Sequence, residues 1–509
     1  MSLLPPAAPA PGRTFPLWIP VGAVVLALLY VPTLQTRFDF IDDGNLVYPE
    51  PSQPLGGRLA VAWAKVVANY EDLGPFRPTL WAHWELLAEL CDGSESAWRA
   101  VRLGWCALAA LMLLWLLSEC GLGAGAALGA AALAMWNPYR SGEIWTSLTL
   151  AEGVAMPYAL LALVAARRAA RSGRPGGWDI LGAGCVLMAL GCKNTFIALI
   201  PAQLFLRISP DGLGLRHGLR RHGWRAALLG LTAIAPVAHF IYFKLNWHPG
   251  QYTTDVPSLA QLGRYVSGLG GAVGMDFVGA GLTLTAAAVC LGRGACVSRE
   301  LPAESVLPRT GRYRAALGAG GLLVVSGIAV YLPMNAMSPR YSMPAAWGLD
   351  LLIGVLLSEL FRLGWTPMKR LAVTGLAAGL AAVVAANIGK QEKFAARARL
   401  LWNMLEWVEQ HAPPGATIAW VSGERLNREE GVHFGWHLRA HGRADVRVTF
   451  LDGPPGHASA PGTSAEQTLR IVGLPPSAIV EGAERFAASY HLGRRQYVCS
   501  VSWGPLPIP

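Results

Sequence analysis

The sequence predicts an α-helical polytopic membrane protein of about eleven crossing helices, followed by a small C-terminal extracytoplasmic α/β domain. Three observations carry that prediction. The 509 residues are 53% hydrophobic and only 15% charged, less charge than a soluble chain of this size carries. The apolar residues come in repeated runs near the ~20 residues that cross a bilayer as a helix. After Gly389 the composition turns polar enough for a soluble domain. A net charge of +10 would suit nucleic acid, but the basic residues cluster in short loops between apolar runs. That pattern reports topology, so no nucleic-acid partner is expected.

Residues 1–15 form a short cytoplasmic N-terminus, Pro/Ala-rich over Leu4–Gly12. The apolar run Leu17–Leu34 lacks a small-residue cleavage site and leads into an acidic loop, so it is a retained helix rather than a signal peptide. Helices are expected near 16–34, 99–119, 121–137, 147–165, 178–191, 194–207, 226–245, 272–291, 315–332, 343–361 and 371–388, making a transmembrane domain over 16–389. Their Ala and Gly content suits close helix packing in lipid. A long outer loop, 35–98, carries Phe76, Leu80, Trp84 and Leu87 at helical spacing, as in an amphipathic helix lying in the interface.

Orientation follows from alternating loops. One set holds Arg167, Arg168, Arg171 and Arg174, then Arg207, Arg216, Arg220, Arg221 and Arg225, then Arg293, Arg299, Arg309, Arg312 and Arg314, then Arg362, Lys369 and Arg370. These should be cytoplasmic, which puts the N-terminus inside and the loop 35–98, the loop around Arg340 and residues 390–509 outside. In that tail, 416–421, 446–451, 469–472 and 496–501 read as strands, and 393–411, 432–441 and 478–490 as helices. Gly453–Ser464 reads as a loop.

Eight cysteines show neither CxxC pairs nor zinc spacing; Cys106, Cys185, Cys192 and Cys290 lie in apolar runs and pack. Cys91 and Cys499 both fall on the outer side, where a disulfide stays open. No Walker loop, dinucleotide glycine motif or HExxH occurs, so nucleotide-driven transport and zinc proteolysis have no support.

The candidate chemistry centres on Phe38-Asp39-Phe40-Ile41-Asp42-Asp43-Gly44-Asn45. A carboxylate there can act as general base on an acceptor hydroxyl, with its neighbour raising its pKa. Asp-Gly-Asn is also good turn chemistry, so a solvated turn is the competing reading. Arg77 suits a lipid phosphate or one of the aspartates, or plain head-group anchoring. Glu143 suits sugar or acceptor hydroxyls, or a pair with Arg140. Glu152 lies deeper in the membrane, where a carboxylate normally has a partner. Lys193, at a break between two short helices, and Arg340, a lone cation in a basic-poor outer loop, suit a phosphate or serve as interfacial anchors. Asp39, His83 and Tyr341 are assigned with Glu143 to acceptor or sugar contacts.

In this order the motifs resemble those of the polytopic GT-C glycosyltransferases, nearest in pattern to the O-mannosyltransferases of the endoplasmic reticulum with tetratricopeptide tails and their bacterial relatives. The Asp42-Asp43 loop resembles the family's first-loop acidic motif. Gly74-Pro75-Phe76-Arg77-Pro78-Thr79 resembles its Tyr-Arg-Pro segment, and Asn137-Pro138 through Glu143-Ile144-Trp145 its Pro…Glu-Ala-Val segment. Cys192-Lys193-Asn194-Thr195 resembles its Ser-Lys-Glu-Thr, and Ser338-Pro339-Arg340-Tyr341 its Glu-Arg-Tyr. Asn194 stands where the family has Glu, and no tetratricopeptide repeat follows. The resemblance implies an enzyme of a bacterial inner membrane that moves a sugar from a polyprenyl-phosphate donor to a glycan, lipid or protein hydroxyl, with inversion. Asp42 would be the base and Asp43 its neighbour, and Arg340, Lys193 and Arg77 would hold the donor phosphate. No cofactor is required by that chemistry, although paired aspartates leave room for a divalent metal. The alternative is a transporter or flippase for a lipid-linked glycan, which would string its charges along a path through the bilayer.

Overall fold

The structure, a computed structural model, describes residues 16–40, 43, 55–73, 75–91, 93–172, 176–209, 215–246, 259–260, 262–271, 274, 307–331, 339–362, 367–412, 414–422, 428–452, 468–474, 490–492 and 495–503. Its helices in chain order are α1 (Trp18–Leu28), α2 (Leu55–Leu73), α3 (Pro78–Cys91), α4 (Glu95–Glu119), α5 (Ala124–Trp136), α6 (Ser141–Thr146), α7 (Ala151–Ser172) and α8 (Gly177–Cys192). They continue with α9 (Leu199–Ile208), α10 (Leu215–Thr232), α11 (Ile234–Asn246), α12 (Leu307–Tyr331), α13 (Met343–Arg362), α14 (Pro367–His411) and α15 (Arg428–Ala440). Short 3₁₀ turns occupy Val31–Gln35, Asn194–Ala198 and Pro339–Ser342.

Among the described residues, five helical stretches are long and apolar enough to cross a membrane: Glu95–Glu119, Ala151–Ser172, Tyr313–Tyr331, Arg340–Arg362 and Lys369–Gln410. Trp18–Leu28, Ala124–Trp136, Gly177–Cys192 and Asn194–Ile208 are apolar but shorter. Of the eleven spans expected from hydropathy, those at 178–191 and 194–207 are short as expected, and the one at 272–291 lies outside the described residues apart from Gly274. Residues 226–245 do not make one helix: the chain turns at Ala233 between α10 and α11. Pro236 explains this, since a residue without an N–H is tolerated in the first turn of a new helix but not inside a continuing one.

The helices expected at 371–388 and 393–411 are instead one 45-residue helix, α14. Nothing between Ile388 and Gln391 breaks it, as a single Gly389 costs only about 1 kcal/mol. At 1.5 Å per residue it is about 67 Å long, twice the ~30 Å hydrocarbon core, so it carries the chain beyond the bilayer.

Local chemistry sets the ends of the helices that matter. Ser94 caps α4 by accepting from Ala97 N at 3.3 Å, with Glu95 in the first turn. After α5, Asn137 Oδ1 accepts from the amides of Tyr139 (2.9 Å) and Arg140 (3.3 Å), an Asx turn that reverses the chain into α6. Arg140 then meets Asp350 of α13 bidentately, at 2.9 and 2.8 Å, with both side chains at most 1% exposed. A buried fork of this kind is costly to break from one side only.

The C-terminal region builds a five-stranded sheet from β1 (Thr417–Ser422), β2 (Arg447–Asp452), β3 (Thr468–Leu474), β4 (Tyr490–Leu492) and β5 (Arg495–Trp503), in the order β2-β1-β3-β5-β4. β1 lies parallel to β2 and β3, while β5 runs antiparallel to β3 and β4. α15 crosses from β1 to β2, and its Phe434 packs on Trp420 of β1, both fully buried. The helix expected at 478–490 and the loop 453–464 lie outside the described residues, except that Tyr490 belongs to β4. Cys91 is a buried free thiol, not one half of a disulfide.

Candidate active site

The site forms where the loop of residues 36–43, the segment 143–152 and the turn at Arg340 meet. Two arginines three residues apart on one face of α4 organise the first half. Arg99, 1% exposed, donates to the carbonyls of Thr36 (3.2 Å), Arg37 (2.9 Å) and Thr146, and to Asp43 Oδ2 at 3.2 Å. Arg102 donates to the carbonyls of Ile144 (2.6 Å) and Leu150 (3.1 Å). Its guanidinium lies where a Cβ on Gly153 would sit, 2.3 Å away, so only glycine allows that approach. These two residues escaped sequence reasoning. Their signal was present, since they are arginines on the basic-poor end of an apolar run.

Asp43 is fully buried. Its Oδ1 accepts from Leu148 N (2.8 Å), Ser147 Oγ (3.4 Å) and Thr149 Oγ1 (3.5 Å), and its Oδ2 from Asp39 N (3.2 Å) and Arg99. An ionised carboxylate offers about four lone-pair directions, and here five donors use them. This explains why α7 starts at Ala151 and not at 147: Ser147–Leu150 stays out of the helix to reach Asp43. Asp43 is neither a solvated turn residue nor a carboxylate with a spare oxygen for a metal. Among the described residues no three His, Cys, Asp or Glu side chains converge as metal ligands. Asp42 lies outside the described residues. Asp39 pairs with Arg397 of α14 and is 1% exposed. Burial pushes its carboxyl up from the ordinary range, opposed by Arg397 and reinforced by Asp43.

The second half is a cluster of cations around two carboxylates. Glu143 pairs not with Arg140, which belongs to Asp350, but with Arg340 at 2.9 Å and Lys390 of α14 at 3.5 Å. Glu152, 2% exposed, pairs with Lys193 at 2.9 Å. Lys193 lies 4.7 Å from the centre of the Tyr341 ring, and the Arg340 guanidinium 5.3 Å from the same ring. The charges of Arg77 and Arg340 both act on Lys193. Arg77 is brought there because Thr79 Oγ1 seats 2.3 Å from where a Cβ on Gly191 would be, pressing the start of α3 onto the end of α8. Lys390 was not foreseen; its signal was the first cation after a long apolar run.

His83 goes elsewhere. It packs on Trp105 of α4 with ring centres 5.0 Å apart, and among the described residues no hydrogen bond or ion pair joins it to the Glu143–Arg340 cluster. Burial, with help from Arg102, pushes its imidazole down to about 4, so it is neutral near pH 7. His83→Gln should therefore leave the pH profile of activity between 6 and 8 unchanged, a result read from initial rates across that range.

No family model matches the chain, and no curated protein matches it. Among solved structures it is similar to ArnT from Cupriavidus metallidurans bound to undecaprenyl phosphate, at 14% identity and a TM-score of 0.41, covering 95% of this chain and 98% of that one. It is likewise similar to the apo state of that protein, at 14% identity and a TM-score of 0.42, covering 95% and 97%.

Proposed function

We propose that the chain is a membrane glycosyltransferase that moves a sugar from a polyprenyl-phosphate donor to an acceptor hydroxyl on the side opposite its basic loops. One observation carries this reading. Lys193, Arg340 and Lys390 pair from three separate segments with only two carboxylates among the described residues, Glu143 and Glu152, and the charge of Arg77 acts on Lys193 from a fourth. That leaves an excess of two positive charges beside a carboxylate loop. Such an excess in a partly dehydrated setting suits a phosphate, and most of all one gaining charge as a leaving group.

The chemistry follows. The acceptor oxygen attacks the anomeric carbon as the bond from that carbon to the phosphate oxygen breaks. The acceptor proton goes to a carboxylate, and the lipid phosphate departs with the electron pair into the cation cluster. Because Asp43 has its oxygens committed, the base is assigned to Asp42, in keeping with the motif. Tyr341 gives its ring face to two of the cations and so orders them. Asp39 is held away from the base role by its pairing with Arg397. No step is routed through a metal.

The transporter reading would need charges distributed along a bilayer path. Glu152, the residue that favoured it, is instead neutralised by Lys193 within the same cluster. Purified protein in detergent, given radiolabelled polyprenyl-phosphate sugar and an acceptor extract, should form labelled product with no membrane present. Absence of product, together with gradient-dependent movement of the donor in vesicles, would sink the enzyme reading.

Orientation is part of the proposal. With the basic loops cytoplasmic, a C-terminal alkaline phosphatase fusion should be active and a fluorescent-protein fusion dark. The reverse pattern would place the site on the cytoplasmic face.

A further inference from the structure

We propose that the C-terminal α/β domain, together with the end of α14 that leads into it, positions the carboxylate loop through an aromatic plug made by Phe40 and two hydrogen bonds to the loop backbone. The catalytic consequence rests on the transferase reading above; the structural part does not.

Residues 36–40 form neither helix nor strand, so their backbone groups need partners from elsewhere to stay in one place. Arg99 supplies partners from the membrane domain at Thr36, Arg37 and Asp43. The next carbonyls are taken from the opposite direction. Trp402 Nε1, on the outer part of α14, donates to Phe38 O at 3.0 Å. His433 Nδ1, on α15, lies 2.5 Å from Phe40 O. A carbonyl only accepts, so Nδ1 carries the proton and donates.

Between these two bonds the Phe40 ring is fully buried. It meets His437 at 4.4 Å, Trp402 at 5.6 Å and, edge-on, Phe434 at 5.9 Å between ring centres. His433, Phe434 and His437 lie on one face of α15, and Phe434 continues into the sheet through Trp420. Each aromatic or polar contact of this kind is modest alone. Here they act on Phe38 and Phe40 of one short loop, and that loop leads to Asp43, three residues beyond Phe40. Arg397 of α14 holds Asp39 from the same side. The loop is therefore gripped from two sides, Phe38–Phe40 by α14 and α15 and Asp43 by the membrane domain, so losing the first grip loosens the chain that leads into Asp43.

The test uses the full-length protein in detergent. His433→Phe keeps the ring and removes the donor, while His433→Asn keeps an N–H close to the position of Nδ1. Two amides report on the loop directly: Phe38 N, bonded to Glu95 Oε1 at 3.2 Å, and Asp39 N, bonded to Asp43 Oδ2 at 3.2 Å. In His433→Phe their hydrogen exchange should quicken by roughly 2- to 10-fold, the loss of one hydrogen bond, with α4 and α7 unchanged. Polyprenyl phosphate lacking its sugar, used as the probe, should bind as in the parent. Turnover should fall by a similar factor at constant KM, and His433→Asn should restore both. Phe40→Leu, which keeps apolar volume, should reproduce the exchange change if His433→Phe fails to fold. Parent-like exchange at Phe38 and Asp39 in His433→Phe, or in Phe40→Leu in its place, overturns the proposal. So does an equal rise throughout α4, which would make His433 a residue of general stability. Altered loop exchange in a protein whose parent transfers no sugar upholds the grip and overturns the transferase reading instead.

Discussion

Asp42→Asn is expected to lower turnover by ~10²–10⁴-fold, the usual contribution of a general base, with donor affinity and thermal unfolding close to the parent. The substitution preserves shape and removes basicity. Asp43→Asn should behave differently. Every group facing Asp43 is a donor: two amides, two hydroxyls and the Arg99 guanidinium. An asparagine NH₂ turned toward them has nothing to accept its hydrogens, and Arg99 loses the countercharge that balances its burial. Breaking a buried pair from one side costs about 3–5 kcal/mol. Asp43→Asn should therefore lose stability and activity together, whereas Asp42→Asn loses activity alone. Turnover, donor affinity and the unfolding midpoint, measured side by side on monodisperse protein, separate the two. If Asp42→Asn turns over within a few-fold of the parent while Asp43→Asn is inactive at an unchanged midpoint, the base moves to Asp43. If both remain active, this loop does not perform the chemistry.

Arg340→Ala should weaken binding of polyprenyl phosphate by about 10- to 150-fold, the worth of one charge-assisted contact of roughly 1.5–3 kcal/mol. Glu143 is not orphaned by the change, because Lys390 remains at 3.5 Å, so the protein should still fold. Lys193→Ala is a poorer probe, since it strips Glu152 of its partner inside the membrane domain. Lys193→Met combined with Glu152→Gln removes both charges and tests the phosphate role without that penalty. Tyr341→Phe keeps the ring under both cations but removes the hydroxyl that Arg340 bonds, while Tyr341→Leu removes the ring as well and should cost a further ~0.5–2 kcal/mol of donor binding. Equal affinity in Arg340→Ala and the Lys193/Glu152 double variant, by direct titration, would remove this cluster from the donor site.

Hydropathy and motif order made the helical membrane architecture legible, along with the strands at 416–421, 446–451, 469–472 and 496–501 and the identity of most charged residues in the cluster. These are local properties. A run of apolar side chains in lipid must close its hydrogen bonds within the segment, whatever it packs against, and alternating apolar residues take up a sheet wherever that sheet lies. Boundaries were less legible where a distant partner decided them. Residues 147–150 are apolar enough to continue a helix, but the Leu148 amide goes to Asp43, 105 residues earlier.

The choice of partner among charges belongs to the tertiary structure alone. From the sequence Glu143 had a cation three positions back in Arg140, yet Arg140 is taken by Asp350, 210 residues away, and Glu143 by Arg340, 197 residues away. Coulomb attraction between two charges depends on their separation in space and on the water left around them. A linear sequence specifies neither. The same holds for Asp43, one of two adjacent aspartates by sequence and a five-donor anchor in the fold, and for the grip of α15 on Phe40, which joins residues 393 positions apart.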